Sequence, residues 1–406
     1  MAKSGKKENG KKVVVAYSGG LDTSFCLAYL RKELGYQVIS VTADTGGFTA
    51  EELKELEERA RALKVLEHHT VPARDEVYDR YVSVIIRGNV LRGHVYPLCV
   101  AAERVVQAEV TARVARQVGA HAVAHGSTGA GNDQVRFDTA FQALVPDLEI
   151  LAPVRRLGWS RSQEYEYLKA EGIELDVTVR DYSINAGLWG ATVGGKETHN
   201  PWKEIPESVW PWPVQEGREP RNVTIEFQDG LPRAVDGRSG TGPQLVGLLN
   251  ELAAPYGLGR GIHLGDTVLG IKGRVAFQAP AAMILISAHR ELEKLVLTGW
   301  QRYWKDLAGD FWGKLLHEGH AYDPVLEDLR ALIEHSQDRV SGEVRLRFAP
   351  GRFEVTGVRS PFSMMSREAG LYGEEAQLWT GADAAGFGKI LGIQARLWRQ
   401  AGLQAD

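Results

Sequence analysis

The chain has 406 residues, of which 44% are hydrophobic and 25% are charged, and its net charge is -4. This length exceeds one ordinary core and predicts two domains, and the charge balance gives no reason to expect nucleic acid or an anionic membrane as a partner. Only two cysteines occur, Cys26 and Cys99, which favours a reducing compartment and argues against a cysteine-rich metal site.

Residues 1–12 read MAKSGKKENGKK, and no apolar segment follows them as a secretory signal would require. We therefore expect a disordered, lysine-rich tail on a cytoplasmic protein. No run of about 18 apolar residues occurs that would predict a membrane span.

The first structured stretch, residues 13–24, reads VVVAYSGGLDTS. The apolar run predicts a buried strand, and two glycines then break it before a helix. Backbone amides and hydroxyl groups beside a helix N-terminus suit a phosphate. The loop lacks both the Gly-Lys-Ser/Thr ending of the Walker pattern and the G-x-G-x-x-G fingerprint. It resembles the pyrophosphate loop of the N-type ATP pyrophosphatases; an ordinary glycine-rich turn is the alternative.

Short apolar runs alternate with helical patterns up to about Val179. We expect helices at 22–35, 49–63, 74–86, 101–119 and from Ser160, with capping boxes at Thr49 and Ser160, and strands at 37–42, 121–125 and 148–154. This alternation predicts a doubly wound, mostly parallel α/β sheet. Ligands collect at the carboxyl ends of such strands, where Ser18, Ala43 and Gly126 would lie.

A second candidate site, HGSTGAGNDQVRFD at residues 125–138, directly follows one of these strands. Arg136 is suited to capture a carboxylate in bidentate fashion, and Asp133 is suited to bind an ammonium group. Together they predict recognition of a zwitterion. The alternative is a surface loop whose polar side chains are merely solvated.

Beyond Val179 the pattern predicts a second, α+β domain. Residues 201–213 are rich in proline and tryptophan and read as an irregular connection. A hairpin is expected around Asp229-Gly230, and helices at 244–256 and 281–298. The final helix, at 384–400, carries one apolar stripe that needs a surface to cover.

AYSGGLDTS, the TAD at residues 42–44, HGSTGAGNDQVRF and YSIN..LWG at residues 182–190 follow one another at spacings similar to those of argininosuccinate synthase. The resemblance covers nearly the whole chain. It implies an adenine nucleotide α-hydrolase-like domain that uses Mg²⁺ and ATP to join citrulline and aspartate through a citrullyl-adenylate, releasing AMP and pyrophosphate, in arginine biosynthesis or the urea cycle. It also implies a homotetramer in which the C-terminal helix clasps a neighbour. We expect a nucleotide-binding domain at 13–178, a synthetase domain at 179–380 and an oligomerisation helix at 381–406.

The family's binding residues carry over at the positions that match. ATP would be held by Ala16, Tyr17, Ser18, Gly19, Gly20, Leu21, Asp22, Thr23, Ser24, Ala43 and Gly126. Aspartate would be held by Thr128, Asn132 and Asp133. Citrulline would be held by Tyr96, Asn132, Arg136, Ser183 and Thr192, where Thr192 replaces a serine and keeps the hydroxyl. Asp22 is also the candidate for a magnesium or water contact; the alternative is a first-turn carboxylate favoured by the helix dipole.

Three positions depart from the family pattern. Ala101 stands where a serine is expected, and Gly265 and Phe277 stand where the family has a citrulline-binding glutamate and tyrosine. The chain is thus either a divergent branch with substitutes, for which His263 and Asp266 are the candidates, or an enzyme with a changed substrate. Two other interpretations concern the whole chain: another ATP pyrophosphatase with a different acceptor, or a non-catalytic module that binds adenine nucleotides.

Overall fold

The computed structural model describes residues 10–173, 182–367, 369–373 and 375–403. Residues 1–9 of the expected tail and the expected domain boundary at residue 178 lie outside this described part. Among the helices of the described residues, none is both long enough and apolar enough to cross a membrane.

The first domain is a five-stranded parallel sheet with the strand order β3-β2-β1-β4-β5. Its strands are β1 (Lys12–Ala16), β2 (Gln37–Asp44), β3 (Glu67–Pro72), β4 (Ala122–Ala124) and β5 (Glu149–Leu151). Its helices are α1 (Leu21–Lys32), α2 (Ala50–Ala62), α3 (Arg74–Val77), α4 (Ser83–Arg87), α5 (Ala101–Gln117), α6 (Asp133–Leu144), α7 (Pro153–Leu157) and α8 (Arg161–Ala170). The expected doubly wound sheet is confirmed.

Local sequence explains most of these elements. Val13, Val14 and Val15 are fully buried because helices cover both faces of the sheet. The capping boxes at Thr49 and Ser160 form as expected and begin α2 and α8. The N-terminal ends of these two helices therefore follow from short-range hydrogen bonding.

Two elements of the first domain differ from expectation. The strand expected at 148–154 ends at Leu151, because Pro153 starts α7 at a position where its missing N–H is not needed. The helix expected at 74–86 is a continuous helical run, but a π-helical turn at Tyr78–Val82 separates α3 from α4.

The second domain contains two antiparallel sheets, with the strand orders β10-β9-β8-β13-β14 and β11-β12-β7-β6. Its strands are β6 (Tyr182–Gly187), β7 (Gly190–Gly195), β8 (Arg221–Gln228), β9 (Leu231–Val235), β10 (Arg238–Ser239), β11 (Arg260–Asp266), β12 (Lys272–Gln278), β13 (Gly342–Ala349), β14 (Arg352–Arg359), β15 (Gly370–Leu371) and β16 (Glu375–Ala376). Its helices are α9 (Gly242–Ala253), α10 (Pro280–Val296), α11 (Gly299–His317), α12 (Val325–His335), α13 (Gly381–Leu391) and α14 (Ile393–Leu403).

The hairpin expected at Asp229-Gly230 joins β8 to β9, and both residues have positive φ, as a two-residue hairpin turn requires. Residues 201–213 contain only a short 3-10 helix at Glu207–Val209, as expected for an irregular connection. The expected C-terminal helix is broken at Gly392 into α13 and α14, neither of which buries a residue.

One hydrophobic core runs through both domains. It joins Val14 of the parallel sheet to Tyr96, Phe277 of β12 and Trp312 of α11. Because the core is continuous, the carboxyl edge of the parallel sheet is held against the β11-β12-β7-β6 sheet.

Candidate active site

The loop between β1 and α1 presents backbone and hydroxyl donors at a helix N-terminus. Gly19 adopts a φ of +73°, which turns the chain into α1. The Ser18 amide donates to Thr23 Oγ1 at 3.4 Å, and the two hydroxyls lie 3.3 Å apart. Arg59 of α2 donates to the Gly19 carbonyl at 2.7 Å. The loop thus combines helix-end amides with a neighbouring guanidinium, a setting that suits phosphate.

The predicted ATP residues share one edge of the sheet. A Cβ on Gly126 would lie 2.9 Å from Thr23 Cγ2 and 3.1 Å from the Thr23 amide, so the chain leaving β4 passes directly over the phosphate loop. Ala43 is buried at the end of β2, and the neighbouring Thr42 hydroxyl donates to the Tyr17 carbonyl at 2.9 Å. Ala43, Gly126 and the phosphate loop therefore meet as the parallel topology predicts.

Asp22 lies in the first turn of α1 and faces α8. Its Oδ1 atom is buried and has no hydrogen-bond partner among the described residues. Burial and the charge of Asp22 raise the pKa of Glu164, on α8, to about 8. No side chain caps α1 by a hydrogen bond. Glu164 is therefore mostly protonated at neutral pH, and its carboxyl group lies beside that of Asp22.

Asp133 is held by two arginines. Arg104 Nε donates to Oδ2 at 2.9 Å, and Arg136 Nη1 donates to Oδ1 at 2.7 Å. Burial alone would raise the pKa of Asp133, but the two guanidinium groups outweigh it and lower the pKa to about 2. The carboxylate is ionised throughout the physiological range.

Arg136 is buried and has protein partners on three nitrogens. Besides Asp133, its Nε donates to the His317 carbonyl at 3.0 Å and its Nη2 lies 3.2 Å from His317 Nδ1. Burial, with the positive charges of Arg136 and Arg92, lowers the pKa of His317 to about 2, so the ring stays neutral and accepts this hydrogen bond. The two residues expected to hold a zwitterion therefore pair with each other here.

The loop at residues 125–138 contacts the second domain through Asn132. Its Oδ1 accepts a hydrogen bond at 2.9 Å from the amide of Val268, in the turn between β11 and β12. Thr128 is exposed nearer the start of the loop. The β11-β12 hairpin is thus anchored to the second candidate site.

One face of the β11-β12-β7-β6 sheet points toward this loop. Gly261, Phe277, Thr192 and Asn185 are successive cross-strand partners and form one row. Ser183 lies two residues before Asn185 and shares its face, because side chains alternate along a strand. Arg104 Nη2 donates to Asn185 Oδ1 at 2.7 Å. Ser183 and Thr192 are therefore on the face that meets the first domain.

Tyr96 closes the space between the two domains. Its ring lies 5.4 Å from Phe277 and 5.7 Å from His263, centroid to centroid. The indole of Trp189 donates to the Pro97 carbonyl at 2.8 Å and fixes the segment that carries Tyr96. Ala101 is the first residue of α5 and is buried.

Two family models match the chain. The model of the arginosuccinate synthase N-terminal HUP domain matches residues 12–174, and that of the arginosuccinate synthase C-terminal domain matches residues 182–398. The chain belongs to the argininosuccinate synthase family. It is 39% identical to the argininosuccinate synthase of Methanocaldococcus jannaschii, over 95% of this chain and 97% of the relative. The enzymes of Dictyoglomus turgidum and Xanthomonas campestris pv. campestris are each 38% identical, over 96% and 97% of this chain and 97% and 99% of their own lengths.

Family membership confirms the resemblance that the motifs indicated. Three residues that connect the two halves of the site were not assigned a role from the sequence: Arg104, Asn185 and His317. Asn185 was detectable, since it lies two positions from Ser183 on the same strand face. Arg104 and His317 were not, because their roles depend on how α5 and α11 pack against the loop at residues 125–138.

Proposed function

We propose that this member of the argininosuccinate synthase family catalyses the ATP-dependent ligation of citrulline and aspartate at the carboxyl edge of the parallel sheet. The observation that carries the assignment of the site is the contact at Gly126. It places the loop that holds Asp133 and Arg136 directly beside the phosphate loop. An amino-acid site and a nucleotide site are thereby adjacent, as transfer of AMP to an amino-acid substrate requires.

The reaction proceeds in two displacements. The ureido oxygen of citrulline attacks the α-phosphorus of ATP, the bond to the β-phosphate oxygen breaks, and pyrophosphate leaves. The ammonium group of aspartate loses a proton, and the resulting amine attacks the ureido carbon of the citrullyl-adenylate. AMP leaves with the former ureido oxygen, and the attacking nitrogen loses a second proton. The first step turns a poor leaving group into AMP, which the second step expels.

The phosphate loop supplies charge stabilisation for the first displacement. The α1 N-terminus, the Ser18 and Thr23 hydroxyls and the Arg59 guanidinium lie around the loop. Positive charge and fixed donors there stabilise the negative charge that develops on the phosphates. We assign ATP to residues 16–24 with Ala43 and Gly126.

When the amino-acid substrates bind, the ion pair between Asp133 and Arg136 is replaced by ion pairs between these residues and the substrates. We assign the aspartate ammonium to Asp133, with Thr128 and Asn132, and the citrulline carboxylate to Arg136. Substrate binding then replaces one internal ion pair by two ion pairs to ligands, while Arg104 keeps Asp133 in place. Ser183 and Thr192 line the citrulline side from the inner face of the β11-β12-β7-β6 sheet, and Tyr96 lines it from the segment before α5.

Mg²⁺ fits the residues beside the phosphate loop. The buried Oδ1 of Asp22, unpartnered among the described residues, is a carboxyl oxygen of the kind that Mg²⁺ binds, and the raised pKa of Glu164 keeps that neighbouring group mostly protonated. Asp22 would hold the ion, which would neutralise charge on the phosphates.

The test is release of AMP and pyrophosphate from Mg-ATP with both amino acids present and with each omitted in turn. We expect release to require citrulline and the mass of argininosuccinate to appear only when both are present. Binding of ATP without citrulline-dependent release would overturn the proposal. Arg59→Ala removes the guanidinium group beside the phosphate loop. This variant should raise the KM for ATP without changing the KM for aspartate.

We further propose a cytoplasmic homotetramer built through the C-terminal segment at residues 381–406. The apolar side chains of α13 and α14 are exposed, including Phe387, Ile390 and Trp398 at 68%, 70% and 79%. Helices with such faces need a partner surface. The thiols of Cys26 and Cys99 are free, which fits the reducing compartment. The proposed units are residues 13–178 for nucleotide binding and 179–380 for the synthetase domain.

Analytical ultracentrifugation tests the assembly. Ile390→Glu combined with Trp398→Glu should convert the tetramer to smaller species, because two charges would be placed in an apolar interface. Arg399→Ala, a polar change next to Trp398, should leave the mass unchanged. A wild-type protein that sediments as a monomer would refute the assembly.

A further inference from the structure

The inner face of β11 carries an unusual side-chain pattern. Gly261, His263 and Gly265 alternate on this face, while Ile262, Leu264 and Asp266 are exposed on the other. Asp266 pairs with Lys272 at 2.6 Å and is turned away from the site. Of the two candidate substitutes for the missing glutamate, only His263 is on the correct face.

His263 occupies the space that a side chain at position 265 would need. A Cβ on Gly265 would lie 2.6 Å from His263 Nε2, and a Cβ on Gly93 would lie 3.0 Å from its Cε1. The imidazole is nearly parallel to the Tyr96 ring, at 19°. Two glycines and a tyrosine thus fix the ring beside the proposed citrulline site.

The ring offers hydrogen bonding without charge. Neither of its nitrogens has a hydrogen-bond partner among the described residues. Burial and the positive charge of Arg92 hold the pKa of His263 below its usual value, which favours the neutral form. One nitrogen then donates and the other accepts.

The carboxylates near the ring are already paired. Asp133 is bound by Arg104 and Arg136, and Glu318 lies 3.5 Å from Arg92. The local field therefore favours a substrate carboxylate over a substrate ammonium.

We propose, on the basis of the citrulline site assigned above, that His263 binds the amino-acid end of the ureido substrate through hydrogen bonds alone, without a carboxylate that would select for the α-ammonium group. With an imidazole in place of a carboxylate, the α-ammonium group of citrulline adds little to recognition. The enzyme therefore accepts ω-ureido carboxylic acids that lack this ammonium. The des-amino counterpart of citrulline, 5-ureidopentanoic acid, is the simplest such acceptor.

The experiment measures AMP release from Mg-ATP and aspartate with citrulline or 5-ureidopentanoic acid as the acceptor. For the wild-type enzyme we expect kcat/KM values within about tenfold of each other. The double variant His263→Ala with Gly265→Glu places a carboxylate on the same face in the space freed by the imidazole. It should prefer citrulline by at least about 30-fold, the typical effect of an ammonium gaining a buried carboxylate partner.

Two single variants separate specificity from packing. His263→Ala alone should lower kcat/KM for both acceptors through a higher KM, with kcat and the ratio between acceptors little changed. Asp266→Asn changes a neighbouring carboxylate on the outer face and should alter neither acceptor.

Three outcomes would overturn the proposal. The first is a wild-type enzyme that rejects 5-ureidopentanoic acid by more than about 100-fold while using citrulline, which leaves the proposed function intact. The second is a folded double variant whose acceptor ratio equals that of the wild type. The third is ATP binding without AMP release for either acceptor, in which case the proposed function fails as well. The wild-type ratio decides the proposal even if the double variant does not fold.

Discussion

The carboxyl edge of the parallel sheet and the inner face of the β11-β12-β7-β6 sheet form the two walls of the proposed site, and they differ in construction. In the first wall, short loops present amides, hydroxyls and the Asp133–Arg136 pair within a few consecutive residues. In the second wall, single side chains such as Ser183 and Thr192 come from alternate positions on separate strands. Two of the three positions expected from the resemblance to depart from the family pattern, Gly265 and Phe277, lie on the second wall.

This difference follows from how each wall recognises its ligand. Phosphate binding uses backbone amides and glycine geometry, which tolerate little change. A strand face can exchange one side chain for its neighbour two positions away, as His263 and Gly265 illustrate, without altering the backbone. Substrate range is therefore expected to vary through the second wall, and substitutions in the two walls should differ in the size of their effects.

The largest effect is expected in the first wall, for Asp133→Asn. The change removes a charge that Arg104 and Arg136 both contact, so the aspartate site loses its anion and two guanidinium groups lose a partner. We expect kcat/KM for aspartate to fall about 10³-fold. AMP release at varied aspartate measures it, with the exposed Asp147→Asn as control; a fall of less than tenfold would contradict the assigned role.

A smaller but still large effect is expected for Gly126→Ala. The new Cβ would press on Thr23 and shift the phosphate loop relative to the amino-acid loop. A displacement of this kind lowers kcat/KM for ATP about 10²-fold. Gly131→Ala is the matched control, since its Cβ would meet no atom closer than 3.7 Å. Equal activity of the two variants would show that the close approach at Gly126 is unimportant.

In the second wall, Asn185→Ala should have an intermediate effect. It removes the hydrogen bond that orients Arg104 and so loosens Asp133 indirectly. We expect about a tenfold loss of kcat/KM for aspartate, the usual effect of one hydrogen bond to a charged group. Ile184→Ala, the next residue on the opposite face, should leave the kinetics unchanged. If both variants behave alike, the assignment of strand faces is wrong.

The smallest effect is expected on stability and concerns Glu103 of α5, which lies where the first domain meets β6. The carboxyl packs beside Gly187, and burial raises its pKa from 4.5 to about 8. Between these values the unfolded chain ionises while the folded protein stays protonated. The unfolded state then binds fewer protons, so this group's contribution to stability is lost as pH rises from about 5 to about 8.

Glu103→Gln removes that dependence. We expect the thermal midpoint of the wild type to fall more over this pH range than that of the variant, by about 2 °C. Thermal unfolding followed by circular dichroism at both ends of the range measures the difference. Identical slopes would indicate that Glu103 is already ionised in the folded protein.

Sequence reasoning was most reliable where structure depends on near neighbours. The capping boxes of α2 and α8, the Asp229-Gly230 hairpin and the glycine loop after β1 all form as expected, because each rests on hydrogen bonds or φ preferences within about four residues. The strand at 148–154 was wrong in its second half because Pro153 was not weighed as a helix start. Strands β6, β7, β11 and β12 were missed because their glycine-rich sequences lack a clear apolar alternation.

The amino-acid sequence by itself determined the parallel fold, the family and the places of the two loops after β1 and β4, since these depend on local patterns and motif spacing. Only the tertiary structure decided that Asp133 pairs with Arg136, that Arg104 reaches Asn185, and that His263 rather than Asp266 faces the site. The physical reason is register: strand pairing fixes which side chains share a face, and packing between distant segments fixes which charges meet.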